Sequence, residues 1–515
     1  MNNQASFIQE IQQGYSPKGE YISLGKGKLN NVVIPEAAVN IPLKTMNRHG
    51  LIAGATGTGK TKTMQLIVEQ LSDAGVPSLV MDVKGDLSGL AMPGDATNPK
   101  IIERYKLLDM QYKANGMPVE FLSLSEEKGV RLRATVTEFG PVLLSKILEL
   151  NETQESVISV IFKFSDDHAL PLIDLDDLKK VLMYVKDNPE GQEKLKAEYG
   201  SISGATVGAI QRKIIALEQQ GADKFFGEPS FEVDDLLQVR EGRGVISIVR
   251  LTDIQNKPAL FSTFMLSLLA EIYATFPEVG DATKPKLCIF IDEAHLIFNE
   301  ASKTLLNQIE TVVKLIRSKG VGVYFVTQVP GDIPDGVLSQ LGLKVQHALR
   351  GFTAKDRKEI KKAVENYPIT QFYDADQLIT QLGIGEAFIT ALNEKGTPTP
   401  LVHTYLETPQ SRMDVLTETE LNNLIAQSKL VTKYDQDINR DSAYEILTRR
   451  MEESAQQEVP EKAKPQATNT KKKQDKSFME EVINSRMARD LGRTFTREIT
   501  RSILGVLGIK KTRRR

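Results

Sequence analysis

The residues Gly54-Ala55-Thr56-Gly57-Thr58-Gly59-Lys60-Thr61 fit the pattern G-x-x-x-x-G-K-[ST]. Glycines in such a loop let the backbone curl until successive N–H groups point at phosphate oxygens. A helix that starts there adds positive potential. Lys60 would reach the β- and γ-phosphates, the Thr61 hydroxyl would ligand Mg2+, and Lys62 lies in the same first turn. The chemistry implied is ATP binding with Mg2+. A second constellation is LCIFIDE, Leu287 to Glu293, an apolar run that ends in two carboxylates. Asp292 would hold the Mg2+ hydration shell, and Glu293 would orient and polarise an attacking water. Gln328 closes the next apolar run, VYFVTQ. In a parallel sheet, neighbouring strands deliver their carboxyl ends to one crevice, where an amide can touch both water and γ-phosphate.

Further charged residues compete for the same place. Asp82, Lys84 and Asp86 follow the apolar run Leu79 to Met81. Asp82 reads either as a second acid near the nucleotide or as a simple turn cap. Arg317, in LIRSKGVGV, and Arg350, closing the expected strand KVQHALR, are candidates for a finger onto a neighbouring subunit's γ-phosphate. Each reads equally as a local ion-pair partner. Arg243 and Arg250 are weaker candidates. The letters DEAH, Asp292 to His295, do not make a DEAH-box helicase, because no second RecA-like half with a Q-x-x-G-R-x-x-R motif follows. His295 reads as a helix-start residue beside the acids.

These groups need a scaffold, and the patterning supplies one. Leu51 to Ala53 predicts a strand before the glycine loop, and Met64, Ile67, Val68 and Leu71 predict one face of a helix from about Lys60 to Ala74. Strand and helix signals alternate from Val245 onward, which argues for a mostly parallel sheet covered on both faces. The fold expected is an α/β core with a P-loop at the end of one strand. Residues 1–45 read as short strands and turns, 46–95 as the first part of the core, and 96–240 as a mainly helical insertion. Residues 241–410 read as the second part of the core and 411–476 as a helical and linker segment. Residues 477–515 read as a basic amphipathic tail.

Composition narrows the class. A chain of 515 residues with 41 % hydrophobic and 26 % charged content is neither wholly disordered nor collagen-like. No apolar run is long enough for a transmembrane helix, and the polar N-terminus is not that of a signal peptide. The lone Cys288 makes no internal disulfide and is too little for a zinc site, so a buried strand residue and a cytoplasmic setting are expected. Residues 461–515 hold 16 Lys+Arg against 6 Asp+Glu, a net of +10, so the total of −2 leaves −12 on the rest. A basic tail on an acidic body suggests a polyanion partner.

The stretches RHGLIAGATGTGKT, MDVKGDLSGL, FIDEAHLIF and IRSKGVGVYFVTQVPGDIPDGVLSQLG together resemble the bacterial HerA-like helicase C-terminal family, YjgR-type members included. ETQESVISVIFKF, GAIQRKIIALEQQGADKFFGEP and QHALRGFTAKD extend the likeness over most of residues 15–405. The broader group is the FtsK–HerA superfamily of P-loop ATPases. This resemblance implies a RecA-like P-loop ATPase core in a homo-oligomeric ring, commonly a hexamer, with ATP or ADP between subunits. It implies the roles already given to the phosphate loop, Asp292, Glu293 and Gln328, and an arginine finger. Two departures stand out: residues 1–45 are short beside the N-terminal β-barrel of HerA proper, and the helical insertion is long.

The function expected is a Mg2+-dependent ATPase acting as a DNA translocase or helicase-like motor. The rival is an ATP-controlled switch that recruits a protein partner through the tail helix, with no pore loop of interleaved basic and aromatic residues to argue against it. A third reading puts the tail on an anionic membrane surface.

Overall fold

The computed structural model describes residues 3–124, 127–253, 257–280, 282–300, 303–351, 353–436, 438 and 440–457. The expected linker around residues 460–476 and the basic tail, 477–515, lie outside the described residues. The strands, in chain order, are β1 (Tyr21–Leu29), β2 (Val32–Pro42), β3 (Gly50–Ala53), β4 (Ser78–Asp82), β5 (Val119–Ser123), β6 (Val130–Arg131), β7 (Val239–Arg240), β8 (Arg243–Gly244), β9 (Ile246–Arg250), β10 (Leu287–Ile291), β11 (Val321–Thr327), β12 (Leu343–Gln346), β13 (Glu386–Thr390) and β14 (Val402–Leu406). Twelve form one sheet in the order β2-β1-β14-β13-β12-β3-β11-β10-β4-β9-β5-β6, and β7 pairs with β8.

From β12 to β6 every pairing is parallel, whereas β13, β14, β1 and β2 add an antiparallel flank. Strands β3, β4, β10 and β11 are buried at every residue. That explains their unbroken apolar runs, since helices cover both faces of a parallel sheet. The helix Lys60–Asp73 packs Met64, Ile67, Val68 and Leu71 onto it, all fully buried. Phe290 of β10 stacks on Tyr324 of β11 with ring centroids 4.6 Å apart. Cys288 lies buried in β10.

The chain divides into two compact units. The first holds residues 1–133 and 229–436 and carries the whole sheet. The second holds residues 134–228 and the chain after 436. Its described part is helical: Val136–Ile147, Glu152–Asp167, Leu175–Asp187, Pro189–Tyr199, Gly204–Glu218 and Ala443–Gln457. Capping boxes at Thr135, Asn151 and Asp174 start three of these helices. Within this unit the buried Asp177 accepts from the Ser442 hydroxyl and from the Tyr444 N–H at 2.7 Å, which ties the last helix to Leu175–Asp187.

Two sequence expectations need correction. Residues 3–15 form a helix, where strands and turns were expected. Its polar letters hide Phe7, Ile11 and Tyr15, spaced by four and all buried. The Tyr15 hydroxyl donates toward the Ile389 and Pro400 carbonyls, at 2.9 and 2.7 Å. The helical insertion is also narrower than 96–240. Residues 119–123 and 130–131 are strands of the main sheet, because β5 pairs with β9 along its whole length.

Candidate functional site at the carboxyl edge of the sheet

Register brings the marked residues to one edge. Thr327 is level with Ala53, Ile291 with Phe325, and Met81 with Ile291. Gly54, Gln328, Asp292, Glu293 and Lys84 therefore leave the sheet side by side, at the ends of β3, β11, β10 and β4. The strand that precedes Gln328, β11, lies between the phosphate-loop strand and the acid strand.

The loop is braced by backbone on three sides. Gly54 N–H donates to Thr327 O at 3.2 Å, Ala55 N–H to Ala348 O at 2.8 Å, and Gly385 N–H to Thr58 O at 3.2 Å. Gly54 has φ +155°, and a Cβ there would stand 2.5 Å from His347 Cβ, so no side chain fits. Gly59 caps the following helix at φ 113°, a conformation that favours glycine. Lys60 Nζ folds back to Ala55 O at 3.2 Å, and Thr58 Oγ1 donates to the same carbonyl at 2.7 Å. Thr56 and Gly57 are exposed, and Thr61 is half-buried. Burial, followed by the nearby Lys84 charge, pushes the Lys60 ammonium down; Glu293 and Asp292 act the other way.

The Lys62 side chain has protein partners of its own. Its ammonium donates to Met413 O at 2.5 Å and to Gln65 Oε1 at 3.2 Å. The side chain is thus committed to the segment that carries Met413.

At the acid end, Asp292 is buried and neither carboxylate oxygen has a hydrogen-bond partner among the described residues. Burial pushes its carboxyl up to about 7; Lys84 opposes this and the Glu293 charge adds to it. Glu293 is buried too, with φ 47°, a left-handed backbone that a glutamate rarely adopts. The turn holding it is fixed by Ala294 N–H to Val326 O at 2.9 Å. One oxygen of Glu293 is ion-paired with Lys84, and His295 Nδ1 lies 3.2 Å from the other. Gln328 is exposed on a turn held by Asp332, which accepts from the Thr327 hydroxyl and the Val329 N–H.

Asp82 is the turn cap and not a second free acid. It accepts N–H bonds from Gly85, Asp86 and Leu87 at 2.8, 3.2 and 3.2 Å. Burial, helped by Asp86, still raises its carboxyl to about 6.

The two arginines stand apart. Strand β12 ends at Gln346, so Arg350 does not close a strand as expected. It lies exposed two residues past Ala348, whose carbonyl braces the phosphate loop. The chain turns out of the strand there because His347 and Ala348 spend their backbone groups on Ala53 and Ala55. Arg317 is exposed in the turn Arg317–Lys319 before β11, at the opposite end of that strand. Arg243 lies on β8 and donates to Gly116 O, and Arg250 pairs with Glu127.

One residue of this edge went unmarked in the sequence. His347 is fully buried beneath the loop, with Nε2 2.9 Å from Thr63 Oγ1. Burial and then the Lys60 charge push its imidazole down to about 4, so it is neutral. A lone histidine one residue beyond an apolar strand was the available signal.

This sheet order, with a braced glycine loop at its centre and acids two strands away, defines a P-loop nucleoside triphosphatase. The model of the family described as helicase HerA-like C-terminal matches residues 29–513, and the chain belongs to that family. It is an ATP-hydrolysing, helicase-like NTPase. The chain is 21% identical over 370 residues to the DNA double-strand break repair helicase HerA of Sulfolobus acidocaldarius, covering 71% of this chain and 67% of that protein. The HerA of Saccharolobus solfataricus is 22% identical over 375 residues, covering 72% and 67%. Among solved structures, the plasmid coupling protein TrwB with ADP and Mg2+ superposes with a TM-score of 0.50 at 13% identity, covering 78% of this chain and 99% of that one. TrwB with a non-hydrolysable ATP analogue gives 0.50 at 14%, covering 77% and 99%. These structures share the fold. No helix among the described residues is long and apolar enough to cross a membrane.

Proposed function

We propose that this chain is a Mg2+-dependent ATPase that assembles as a homo-oligomeric ring, a hexamer, and couples hydrolysis to movement along DNA. The observation that carries the catalytic part is Asp292. A buried carboxylate with two unpartnered oxygens, next to a phosphate loop, is costly unless something cationic arrives. Asp292 and the Thr61 hydroxyl are hard oxygen donors and fit Mg2+. When bound, the ion spreads charge over the β- and γ-phosphates.

The chain's own groups supply the rest. The N–H groups of residues 57–62 cradle the phosphates at the helix N-terminus. Lys60 leaves Ala55 O to bind the β- and γ-phosphates. Glu293 accepts the proton of the attacking water, and the Gln328 amide orients that water. An arginine of the neighbouring copy completes the site. In a head-to-tail ring the finger must sit away from its own phosphate loop. Arg317 meets that condition better than Arg350, which flanks its own loop.

The DNA part is supported by the named activity of the HerA relatives and by the basic tail. Such an enzyme belongs in the cytoplasm. The test is the ATP hydrolysis rate of the full chain with single-stranded DNA, with double-stranded DNA and without either. We expect stimulation that fades as salt rises. Hydrolysis indifferent to DNA would replace the motor with the switch that recruits a protein partner.

A further inference from the structure

Lys84 is the residue nearest this chemistry with no role so far. It comes from the turn after β4, yet its ammonium is paired with Glu293 of β10. The turn that presents it is rigid, because Asp82 collects the three N–H groups of residues 85–87. Gly85 sits at φ +76°, where a Cβ would meet Thr252 Cγ2 at 2.8 Å. Lys84 is held out from the sheet edge with 41 % of its side chain exposed, so a ligand can reach it.

Its charge neighbours locate it further. Lys84 feels Glu293, Asp292 and Asp86, and it in turn bears on Lys60. Lys60 opens the helix after the phosphate loop and Lys84 follows β4, so two ammonium groups from different elements rise from the same carboxyl edge of the sheet. Like charges held close call for an anion between them. In a P-loop site that anion is the terminal phosphate. Meanwhile Glu293, its backbone fixed in a left-handed turn, has one oxygen occupied by Lys84. An oxygen held in an ion pair is not available to a water molecule.

We propose that Lys84 is a positioning residue that answers to the γ-phosphate. Without a triphosphate it pairs with Glu293 and holds that carboxylate back. With ATP bound, a γ-phosphate oxygen takes the Lys84 ammonium, and Glu293 is freed to act. The attacking water forms its bond to the γ-phosphorus as the bond to the β-bridging oxygen breaks. The water proton passes to Glu293 and from there to the departing phosphate or to solvent, ADP and phosphate leave, and Lys84, which keeps its own protons, returns to the Glu293 carboxylate. ADP has no terminal phosphate to draw Lys84 away. The same residue thus reports which nucleotide is bound and gates the base. This rests on the role proposed above for Glu293.

The test uses the full chain with Mg2+, comparing Lys84→Met and Lys84→Arg with the unmodified protein. Displacement of a fluorescent nucleotide gives affinities for ADP and for ATPγS, and steady-state hydrolysis gives kcat and KM. For Lys84→Met we expect ADP affinity within about twofold, ATPγS affinity about tenfold weaker, and kcat at least about tenfold lower. Lys84→Arg should restore most of both losses, because it returns a cation to the same turn. A merely structural ion pair would leave the ATPγS-to-ADP preference unchanged, and that result overturns the inference. So would faster turnover with unchanged preference, since Lys84 would then be a brake alone. Lys84→Gln is the second variant if the Met substitution folds poorly. Lys60→Ala and Glu293→Gln are measured alongside. If both lose activity while Lys84→Met matches the unmodified chain, only the Lys84 inference fails. If Glu293→Gln turns over normally, the role of Glu293 itself is wrong.

Discussion

The ends of β4 and β10 invite direct comparison. Each is a fully buried apolar strand closing on an aspartate, and the two aspartates stand in adjacent register. Asp82 is wrapped by three backbone N–H groups of its own turn. Asp292 is equally buried and has no hydrogen-bond partner among the described residues. The residues that follow make the difference. After Asp82, Lys84 and Gly85 allow the chain to curl back, with Gly85 at positive φ. After Asp292 the chain enters a turn that points Glu293 at Lys84 and sends the helix His295–Glu300 away. One acid is spent on holding a turn. The other holds no turn and has no hydrogen-bond partner among the described residues. The contrast separates stability from chemistry at two neighbouring positions.

The largest effect should come from the charge that arrives from another copy. Arg317→Ala should lower kcat about 10³-fold or more with nucleotide affinity retained, as loss of an arginine finger does. Arg350→Ala should stay within about tenfold, because Arg350 borders its own loop. Steady-state hydrolysis of both variants decides, and the reverse order would move the finger to Arg350.

Next comes the base. Glu293→Gln should cut hydrolysis about 10²- to 10⁴-fold while ATP still binds. Equilibrium binding beside turnover measures the two separately. The opposite signature belongs to Asp82→Ala. Three N–H groups lose their acceptor, and denaturant unfolding should show a loss of about 2–3 kcal/mol. The folded fraction should keep its ADP affinity within a few-fold.

The smallest effect concerns His347. Its imidazole is held near 4 in the folded chain, against about 6.5 when unfolded. Below the unfolded value only the unfolded chain takes up the proton. Its contribution to stability is therefore present above pH 6.5 and is lost as pH falls toward 4. Between pH 6.5 and 5 the loss should approach about 1.4 kcal/mol per pH unit, and His347→Gln should flatten that slope. Thermal unfolding across this range measures it.

The placement of the marked residues is legible because it is local. The glycine loop, Lys60, Thr61 and the apolar run before Asp292 sit where chain spacing alone puts them. Gln328 was placed by one further step, that parallel strands share a carboxyl edge. What stayed hidden depends on contacts far apart in sequence. Thr58 is braced by Gly385 and Thr63 touches His347, and no spacing rule relates these pairs. The commitment of Lys62 to Met413 is of the same kind. The two short strands β5 and β6 do not stand out in the sequence, because neither carries a long β-branched run. The helix of residues 3–15 does not stand out in the sequence, because its buried stripe is only one residue wide.

The central claim is that Asp292 is left without partners so that Mg2+ can be held there. The most direct measurement is Asp292→Asn, followed by hydrolysis against Mg2+ concentration and by thermal unfolding in the absence of Mg2+ and nucleotide. We predict that hydrolysis collapses at every Mg2+ concentration while the melting temperature stays equal or rises, since an uncompensated buried charge has been removed. A variant that melts markedly lower yet hydrolyses ATP with an unchanged Mg2+ requirement would make Asp292 a structural acid like Asp82, and would contradict the account.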